Sequence, residues 1–235
     1  MKPIFRSTYS IGKSILTLED IVDICDENNL DDVILVEDNL TSFMKAFHLC
    51  VDRGKDLTYG LRITMCNESF EDDSDHKVVI FAMDDNGCKL LNKIYSLAFV
   101  QNNGKLTYKD LRSLWDSDSL RFVVPFYDSF IHQNNLYLKN CIPELKGFDP
   151  VFWVEKNNLP YDRLIEQKVL EFAENSYKIS NVKTICYKNR EDVEALQTYK
   201  ILTNRSFGRQ ATLSNPNLNH FSSDEFCWES YLENA

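Results

Sequence analysis

The sequence predicts an α/β barrel formed as a single domain over residues 1–235. Two observations lead to this fold class. Short runs rich in β-branched and aromatic residues alternate with segments of helical periodicity, and seven such runs are present. Neither a linker nor an internal repeat interrupts the alternation. Strand–helix alternation is typical of a parallel sheet, and this number of units indicates a closed or nearly closed barrel.

Each predicted strand is a short, mostly apolar run, the pattern of a strand that is buried in a sheet. The seven runs lie at residues 4–5, 33–37, 57–65, 77–83, 121–126, 151–155 and 184–187. In the sixth run Phe152 and Trp153 are adjacent, so their side chains are predicted to point to opposite faces of the sheet.

Six helices are predicted between and after these strands. They begin near Thr17, Thr41, Gly87 and Tyr108, and the last two cover residues 159–175 and 190–202. Thr17 with Asp20 three residues later is a capping signal, and Gly54 is a suitable residue to follow the second helix. From residue 207 to 235 we expect an irregular C-terminal extension, with a turn at Asn215–Pro216.

The charge balance limits the classes of partner. The chain has 36 Asp and Glu residues against 26 Lys and Arg residues, for a formal net charge of −10. Because binding to nucleic-acid backbones depends on neutralisation by Lys and Arg, we expect no strong autonomous nucleic-acid binding. No apolar run approaches the length that spans a bilayer, so we expect no membrane partner.

The cysteines and glycines of the sequence indicate the cellular compartment and exclude one class of phosphate-binding loop. The chain has seven cysteines with no CxxC pair, and its N-terminus has no apolar signal-peptide core. We therefore expect reduced thiols, most of them in the core, in a cytoplasmic protein. Only seven glycines are present, and neither GxGxxG nor a Walker-type phosphate loop occurs.

Several strings of the sequence are distinctive in their order. RSTYS at 6–10 precedes LTLEDIVDICDENNLDDVILVEDN at 16–39, and HKVVIFAMDDNGCKLLNKIYSLA follows at 76–98. FWVEKNNLPYDRLIEQKVLEFAE, EDVEALQTYKILTNRSF and LSNPNLNHFSSDEFCWES come later. In this order they resemble the polymerase-and-histidinol-phosphatase (PHP) domain of the bacterial DNA polymerase III alpha subunit. Because the chain has no room for palm, fingers or thumb domains, the resemblance predicts a free-standing copy.

The resemblance implies a distorted (βα)7 barrel of the PHP type. Active members of the family hold up to three divalent ions with His, Asp and Glu at the C-terminal ends of the strands, where the metals activate water for attack on a phosphoester. The positions of this sequence that match the family's ligands are Lys2, Ile4, Arg6, Glu37, Asp38, Arg62 and His76. Two further ligand positions fall near residues 125–127 and 187–190.

At most of these positions the residue cannot bind a metal. Lysine and arginine are cations at neutral pH, and isoleucine has no donor atom. Only His76 matches a family ligand, and we expect it to be a surface histidine at a strand end. The site is therefore predicted to be degenerate, with no cofactor. Arg6 or Arg62 is predicted to pair with Glu37 or Asp38 in place of the metals, an arrangement that either stabilises the site or binds an anion.

Three functions remain open. The first is a non-catalytic PHP-like module of DNA replication that acts through protein contacts, with a proofreading exonuclease or a polymerase subunit as partner. The second is a phosphoesterase or 3′–5′ exonuclease that uses Glu37, Asp38 and His76 with Mn, Zn or Mg. The third is a decoy or inhibitor of a polymerase-associated partner. Few glycines and many Asn, Asp and Lys residues would suit a phage protein.

Overall fold

The computed structural model describes residues 1–67, 73–174, 176–203 and 223–234. The strands in these ranges are β1 Lys2–Phe5, β2 Asp32–Glu37, β3 Asp56–Cys66, β4 His76–Ala82, β5 Lys105–Thr107, β6 Leu120–Val124, β7 Val151–Val154 and β8 Lys178–Ile185. The α-helices are α1 Leu18–Glu27, α2 Phe43–Asp52, α3 Asp85–Ser96, α4 Tyr108–Ser113, α5 Phe130–Leu136, α6 Asp162–Ala173, α7 Val193–Thr203 and α8 Trp228–Asn234. A π-helical turn, Leu97–Gln101, follows α3, and a 3₁₀ turn, Arg190–Asp192, precedes α7.

Seven of these strands close into a barrel. Their order is β2-β1-β8-β7-β6-β4-β3, and β3 then pairs with β2 from Asp32↔Asp56 to Glu37↔Leu61. Helices surround the barrel, so the predicted α/β barrel class is confirmed. The short strand β5 was not predicted, and it pairs with the end of β3 outside the closed ring.

One barrel strand runs against the others. In the described part of the chain β4 is antiparallel to both β3 and β6, whereas the other five barrel pairings are parallel. The prediction of a wholly parallel sheet is therefore wrong at β4. The physical reason is the connection, because only residues 67–75 join β3 to β4 and a parallel crossover needs about a dozen residues or more. The first residues of β4 consequently lie where the other strands end.

The sequence signals for helix ends are borne out where they are strongest. Thr17 caps α1, with its hydroxyl oxygen accepting from the backbone N–H of Asp20 and the Asp20 carboxylate accepting from Thr17 in return. Gly54 follows α2 with a φ of 64°, a left-handed conformation that favours glycine. Helix α5 was not predicted, because its sequence FIHQNNL has no extended apolar stripe.

Two strand ends and the C-terminal extension differ from prediction. Strand β6 ends at Val124, since Pro125 has no N–H to continue the ladder. Strand β8 begins at Lys178, six residues earlier than predicted. Its first half is polar, so the apolar pattern of the sequence does not indicate a strand there. Within the extension predicted to be irregular, residues 228–234 form α8, whereas residues 207–222, with the predicted turn at Asn215–Pro216, lie outside the described residues.

Two apolar cores lie on the two sides of the barrel wall. The inner core fills the barrel with Ile4, Val36, Val79, Phe81, Val123, Trp153 and Val182. The outer core packs the other faces of the strands against the helices and includes Phe152. The opposite orientations predicted for Phe152 and Trp153 are therefore confirmed. A Cβ on Gly60 would lie 2.6 Å from the Phe81 ring, so glycine is required for this ring to fill the barrel.

The seven cysteines are free thiols, and all but the partly exposed Cys88 are buried, as the sequence predicts. In the part of the chain that the structure describes, no helix is both long enough and apolar enough to cross a membrane.

Candidate functional site

The candidate site lies at the mouth of the barrel, the end at which β1, β2, β3, β6, β7 and β8 finish and β4 begins. Side chains alternate along each strand, so the residue two positions beyond the last inner-core residue also faces inward, at the mouth. Ile4 is followed in this way by Arg6, and Val36 by Asp38. Gly60 is followed by Arg62, and because β4 runs the other way, Lys77 lies two positions before Val79.

A cavity of about 70 Å³ occupies this mouth. Its walls carry charged side chains, namely Arg6, Lys13, Arg62, Asp128, Glu155 and Lys200, and its apolar side is formed by inner-core residues such as Val79 and Trp153. A wider depression of about 420 Å³ adjoins it and shares Lys13, Arg62 and Asp128. The loop after β1 provides Lys13, and α7 provides Leu196 and Lys200.

Two arginines and two aspartates form a chain of ion pairs across the mouth. The Arg6 guanidinium lies 2.5 Å from the Asp38 carboxylate. Arg62 lies 3.6 Å from the other Asp38 oxygen and also pairs with Asp128, which follows β6 in a left-handed conformation. Burial alone would raise the pKa of Asp38, but Arg6 and Arg62, with Lys77 and Lys13, lower this pKa to about 2. The prediction that Arg6 or Arg62 pairs with Glu37 or Asp38 is therefore confirmed for Asp38, which both arginines approach.

Glu37 belongs to a different network. It shares the outer face of β2 with Val33 and Leu35 and is fully buried. Its carboxylate accepts hydrogen bonds from the Ser7 backbone N–H at 3.0 Å, from the Ser7 hydroxyl at 2.5 Å and from the Ser10 hydroxyl. Burial raises the pKa of Glu37 above its ordinary value, against the effect of these hydrogen bonds and of Arg6. Glu37 therefore anchors the RSTYS segment to β2.

His76 is buried, so the expectation of a surface histidine is wrong. Its Nδ1 lies 2.9 Å from the Ser74 carbonyl oxygen, and its Nε2 lies 2.8 Å from the Tyr108 hydroxyl. Phe130 also contacts the ring edge to face, and burial lowers the pKa of His76 to about 4. Both ring nitrogens are thus occupied by protein partners.

Of the remaining predicted positions, Pro125 and Tyr127 line the cavity, whereas Lys2 and Arg190 lie away from it. Lys2 is exposed at the start of β1, four residues before Arg6, and therefore near the opposite end of the barrel. Ile4 belongs to the inner core and touches the cavity as an apolar group. Arg190 pairs with Glu225 and Glu233 of the C-terminal segment and does not line the cavity.

Sequence reasoning missed three lysines at the mouth, which are Lys13, Lys77 and Lys200. Lys77 donates to the Thr64 hydroxyl at 2.6 Å, and Lys200 is buried. Burial lowers the pKa of Lys77 and that of Lys200 to about 8. Arg62 acts in the same direction on Lys77, as Lys13 and Arg6 do on Lys200. Two signals were present in the sequence. Lys77 lies two positions before Val79, so the two side chains are expected on the same face of a strand. Lys200 lies four residues after Leu196, so these two are expected on the same face of a helix.

The side chains at the mouth do not fit a divalent metal cluster. Within the described ranges, no group of three or more His, Cys, Asp or Glu side chains is placed to hold a metal ion. The Asp38 oxygens are bound by two guanidinium groups, and the lysines add positive charge that repels a cation. The donor set therefore suits an anion better than a metal.

Comparison with known proteins supports the resemblance found in the sequence. No protein-family model matches the chain. The DNA polymerase III alpha subunits of Rickettsia conorii and Rickettsia felis are each 23% identical to it over 179 residues, which cover 72% of this chain. The matched region spans about 15% of the length of these relatives. The chain thus resembles one part of the polymerase subunit.

Among solved structures, a metal-dependent phosphoesterase from Bifidobacterium adolescentis aligns with 77% of this chain and 87% of its own. The sequence identity is 10% and the TM-score is 0.44. At this level of similarity the comparison adds nothing about function.

Proposed function

We propose that this chain is a non-catalytic PHP-like module of the (βα)7 type that serves DNA replication through protein contacts. The observation that carries the proposal is the ion-pair chain at the mouth, where Arg6 and Arg62 bind Asp38. The resemblance to the polymerase III alpha subunit supplies the replication context. The candidate partners are a proofreading exonuclease or a polymerase subunit, and the site of action is the cytoplasm.

Of the three residues that a reduced catalytic site would use, Asp38 and His76 line the wider depression beside the cavity, whereas Glu37 does not. Glu37 is level with Leu61 on β3, and His76 is level with Met65. Four residues of strand separate these levels, a distance of about 13 Å at 3.3 Å per residue. Glu37 is bound by serines, Asp38 by arginines, and His76 by Ser74 and Tyr108. Catalysis would require each residue to leave its present partners.

The contact with a partner uses the outer surface of the barrel, because a docking role must tolerate the loss of metal ligands at the mouth. Substitutions at the mouth should therefore leave partner binding intact. This separation makes the docking role testable independently of whatever the mouth binds.

The test is affinity capture from the native cell followed by mass spectrometry, with nuclease treatment before elution. Replication proteins should be enriched by the wild-type chain and equally by Lys13→Gln, a variant at the mouth. Recovery of no replication protein, together with tight binding of the purified chain to single-stranded DNA at physiological salt, would overturn the proposal. Stoichiometric Mn or Zn with phosphoesterase turnover that His76→Ala abolishes would favour the enzyme instead.

A further inference from the structure

A band of exposed apolar side chains crosses the outer surface of the barrel between α2 and α3. Helix α2 contributes Met44, Phe47 and Val51, of which Phe47 is 44% exposed and the other two are more exposed still. The π-helical turn after α3 contributes Phe99 and Val100, which are 45% and 82% exposed. Single exposed apolar residues are common, but a cluster of large ones is typical of an interaction site. These five residues are called the α2–α3 surface below.

Aromatic contacts make the α2–α3 surface continuous. Helix α2 packs on β3, and α3 packs on β4, the antiparallel neighbour of β3. The Phe43 ring stacks on Phe47 and contacts Tyr59 of β3 edge to face at 5.3 Å, while Tyr95 of α3 stacks on Phe99 at 4.5 Å. Burial raises the pKa of Tyr59, and the nearby Tyr95 adds to this effect. Tyr59 therefore lies between the two aromatic pairs and joins them.

The segments that carry this surface have no acidic residues. Residues 39–51 and 86–109 contain five lysines and neither Asp nor Glu, in a chain whose net charge is −10. Lys89 and Lys93 are exposed on α3 and have no ion-pair partner in the described part of the chain. Both lie on the exposed side of the helix that leads into the π-helical turn. The apolar band is therefore bordered by positive charge that the fold does not neutralise.

The acidic residues next to these segments do not cancel this charge. Asp38 is held by the arginines of the mouth, and Asp110 caps α4. Asp52 ends α2 and Asp85 begins α3. Because α2 follows a strand that ends at the mouth and α3 follows β4, which ends at the opposite end, the two helices run in opposite directions. Asp52 and Asp85 thus lie together at the end of the barrel away from the mouth, beyond most of the apolar band.

From the exposed apolar band and the unbalanced lysines we infer that the α2–α3 surface binds a helix of a partner protein, with apolar residues on one face and Asp or Glu residues beside them. Met44, Phe47 and Val51 are spaced three and four residues apart, the pattern with which one helix packs against another. This inference rests on the proposed function, because it names the surface and the partner chemistry of the same protein contacts.

Other occupants fit this surface less well. A symmetric contact with a second copy would set Lys89 and Lys93 of one chain against the same lysines of the other, and like charges across an interface are unfavourable. Nucleic acid is bound through many Lys and Arg contacts, whereas this surface offers two lysines. A membrane with anionic lipids would repel a chain of net charge −10.

The test is fluorescence polarisation of the full chain with a labelled synthetic peptide of about 20 residues, long enough to form a helix. The peptide has leucines at helix positions i, i+3, i+4, i+7 and i+11 and glutamates at most others, and its counterpart has lysines in place of the glutamates. We expect the acidic peptide to bind with a Kd below about 100 µM and the lysine counterpart to bind at least about tenfold more weakly.

Variants of the chain separate the apolar and the charged contributions. Phe47→Gln and Val100→Gln each remove an apolar contact, and Lys93→Glu reverses a charge, so each should weaken binding of the acidic peptide by about tenfold. The matched controls are Leu232→Gln, at an exposed apolar position on α8, and Lys178→Glu, at the exposed start of β8. Neither control should change the affinity. Val100 is exposed enough that its variant tests the surface without risk to the fold.

Three results would overturn the inference. The first is the absence of binding of the acidic peptide at about 100 µM by a folded wild-type chain. The second is binding that Phe47→Gln, Val100→Gln and Lys93→Glu leave unchanged while they remain folded. The third is displacement of the peptide by single-stranded DNA, by vesicles of phosphatidylcholine and phosphatidylserine, or by dimerisation of the chain, where Val100→Gln also abolishes that competing interaction.

Failure of this inference is distinguishable from failure of the proposed function. If wild type and Val100→Gln capture the same replication proteins equally from the native cell, the proposed function holds through another surface and this inference is wrong. If the acidic peptide binds as described but no replication protein is captured, the surface is retained and the proposed function is wrong.

Discussion

Arg6, just beyond the end of β1, and Asp38, just beyond the end of β2, form a 2.5 Å ion pair across the mouth of the barrel. The two strands are parallel neighbours in register at Phe5↔Leu35, so Arg6 is level with Val36 and its side chain reaches Asp38 two residues further along. Arg62 from β3 approaches the same carboxylate from the other side. Three consecutive strands are therefore joined by charge where the resemblance places metal ligands.

Replacing Arg6 should destabilise the fold. The Arg6 side chain is 9% exposed, and its removal leaves Asp38 with Arg62 alone at 3.6 Å. We expect Arg6→Ala to lower the free energy of unfolding by about 3 kcal/mol in urea denaturation. The matched control is Arg53→Ala, whose half-exposed guanidinium pairs with Asp23 and Asp26, with an expected loss below about 1 kcal/mol. Equal losses in the two variants would show that the Arg6 pair is solvated.

The pKa of Asp38 predicts a loss of stability in acid. Because its folded-state pKa of about 2 is lower than the ordinary value, the carboxylate stabilises the fold above about pH 4, and this contribution disappears as the pH falls toward 2. With 30% of the side chain exposed, we expect a contribution of about 1–2 kcal/mol. Asp38→Asn should lack this step in unfolding curves measured from pH 5 to pH 2. An identical step in the variant would assign it to another carboxylate.

The ion pair is predicted from the resemblance, because the matched strings align Arg6, Glu37, Asp38 and Arg62 at the strand ends of one barrel mouth. The alignment leaves open which carboxylate is the partner, and the structure decides it. Side chains alternate along a strand, so Asp38, two positions after the inner-core residue Val36, faces the mouth, whereas Glu37 faces the outer core.

The lysines could not be predicted in the same way, because their positions depend on tertiary structure. Lys77 reaches the mouth only because β4 is antiparallel, which follows from the short connection after β3. Lys200 reaches it because α7 packs over the barrel end, and Lys13 because its loop follows β1. His76 was matched to a family position, but its burial depends on α4, which brings Tyr108 to it.

Because of the lowered pKa of Lys200, the protein should be more stable in mild alkali than at neutral pH. Its folded-state pKa of about 8 is lower than the ordinary value near 10.5, so the unfolded chain binds more protons between these values and stability rises with pH across this window. Lys200→Met removes a buried charge and should raise the free energy of unfolding at pH 7 by about 1–3 kcal/mol. Its stability should also rise less between pH 8 and pH 10 than that of the wild type. A lower free energy of unfolding for Lys200→Met at pH 7 would contradict the conclusion that the buried charge of Lys200 destabilises the fold.

His76 is predicted to be structural, with no effect on metal content. His76→Ala removes a ring that is 2% exposed and leaves the Tyr108 hydroxyl without its partner, so the free energy of unfolding should fall by about 3 kcal/mol. His48→Ala, at an exposed position on α2, should change it by less than about 0.5 kcal/mol. Elemental analysis of chains purified without chelator should find less than about one transition-metal ion per chain in the wild type and in both variants, because lost ligands reduce metal affinity by about 10–100-fold each. Stoichiometric metal in the wild type that disappears in His76→Ala would make this histidine a ligand, and the interpretation of the mouth as an arginine-filled site would then be wrong.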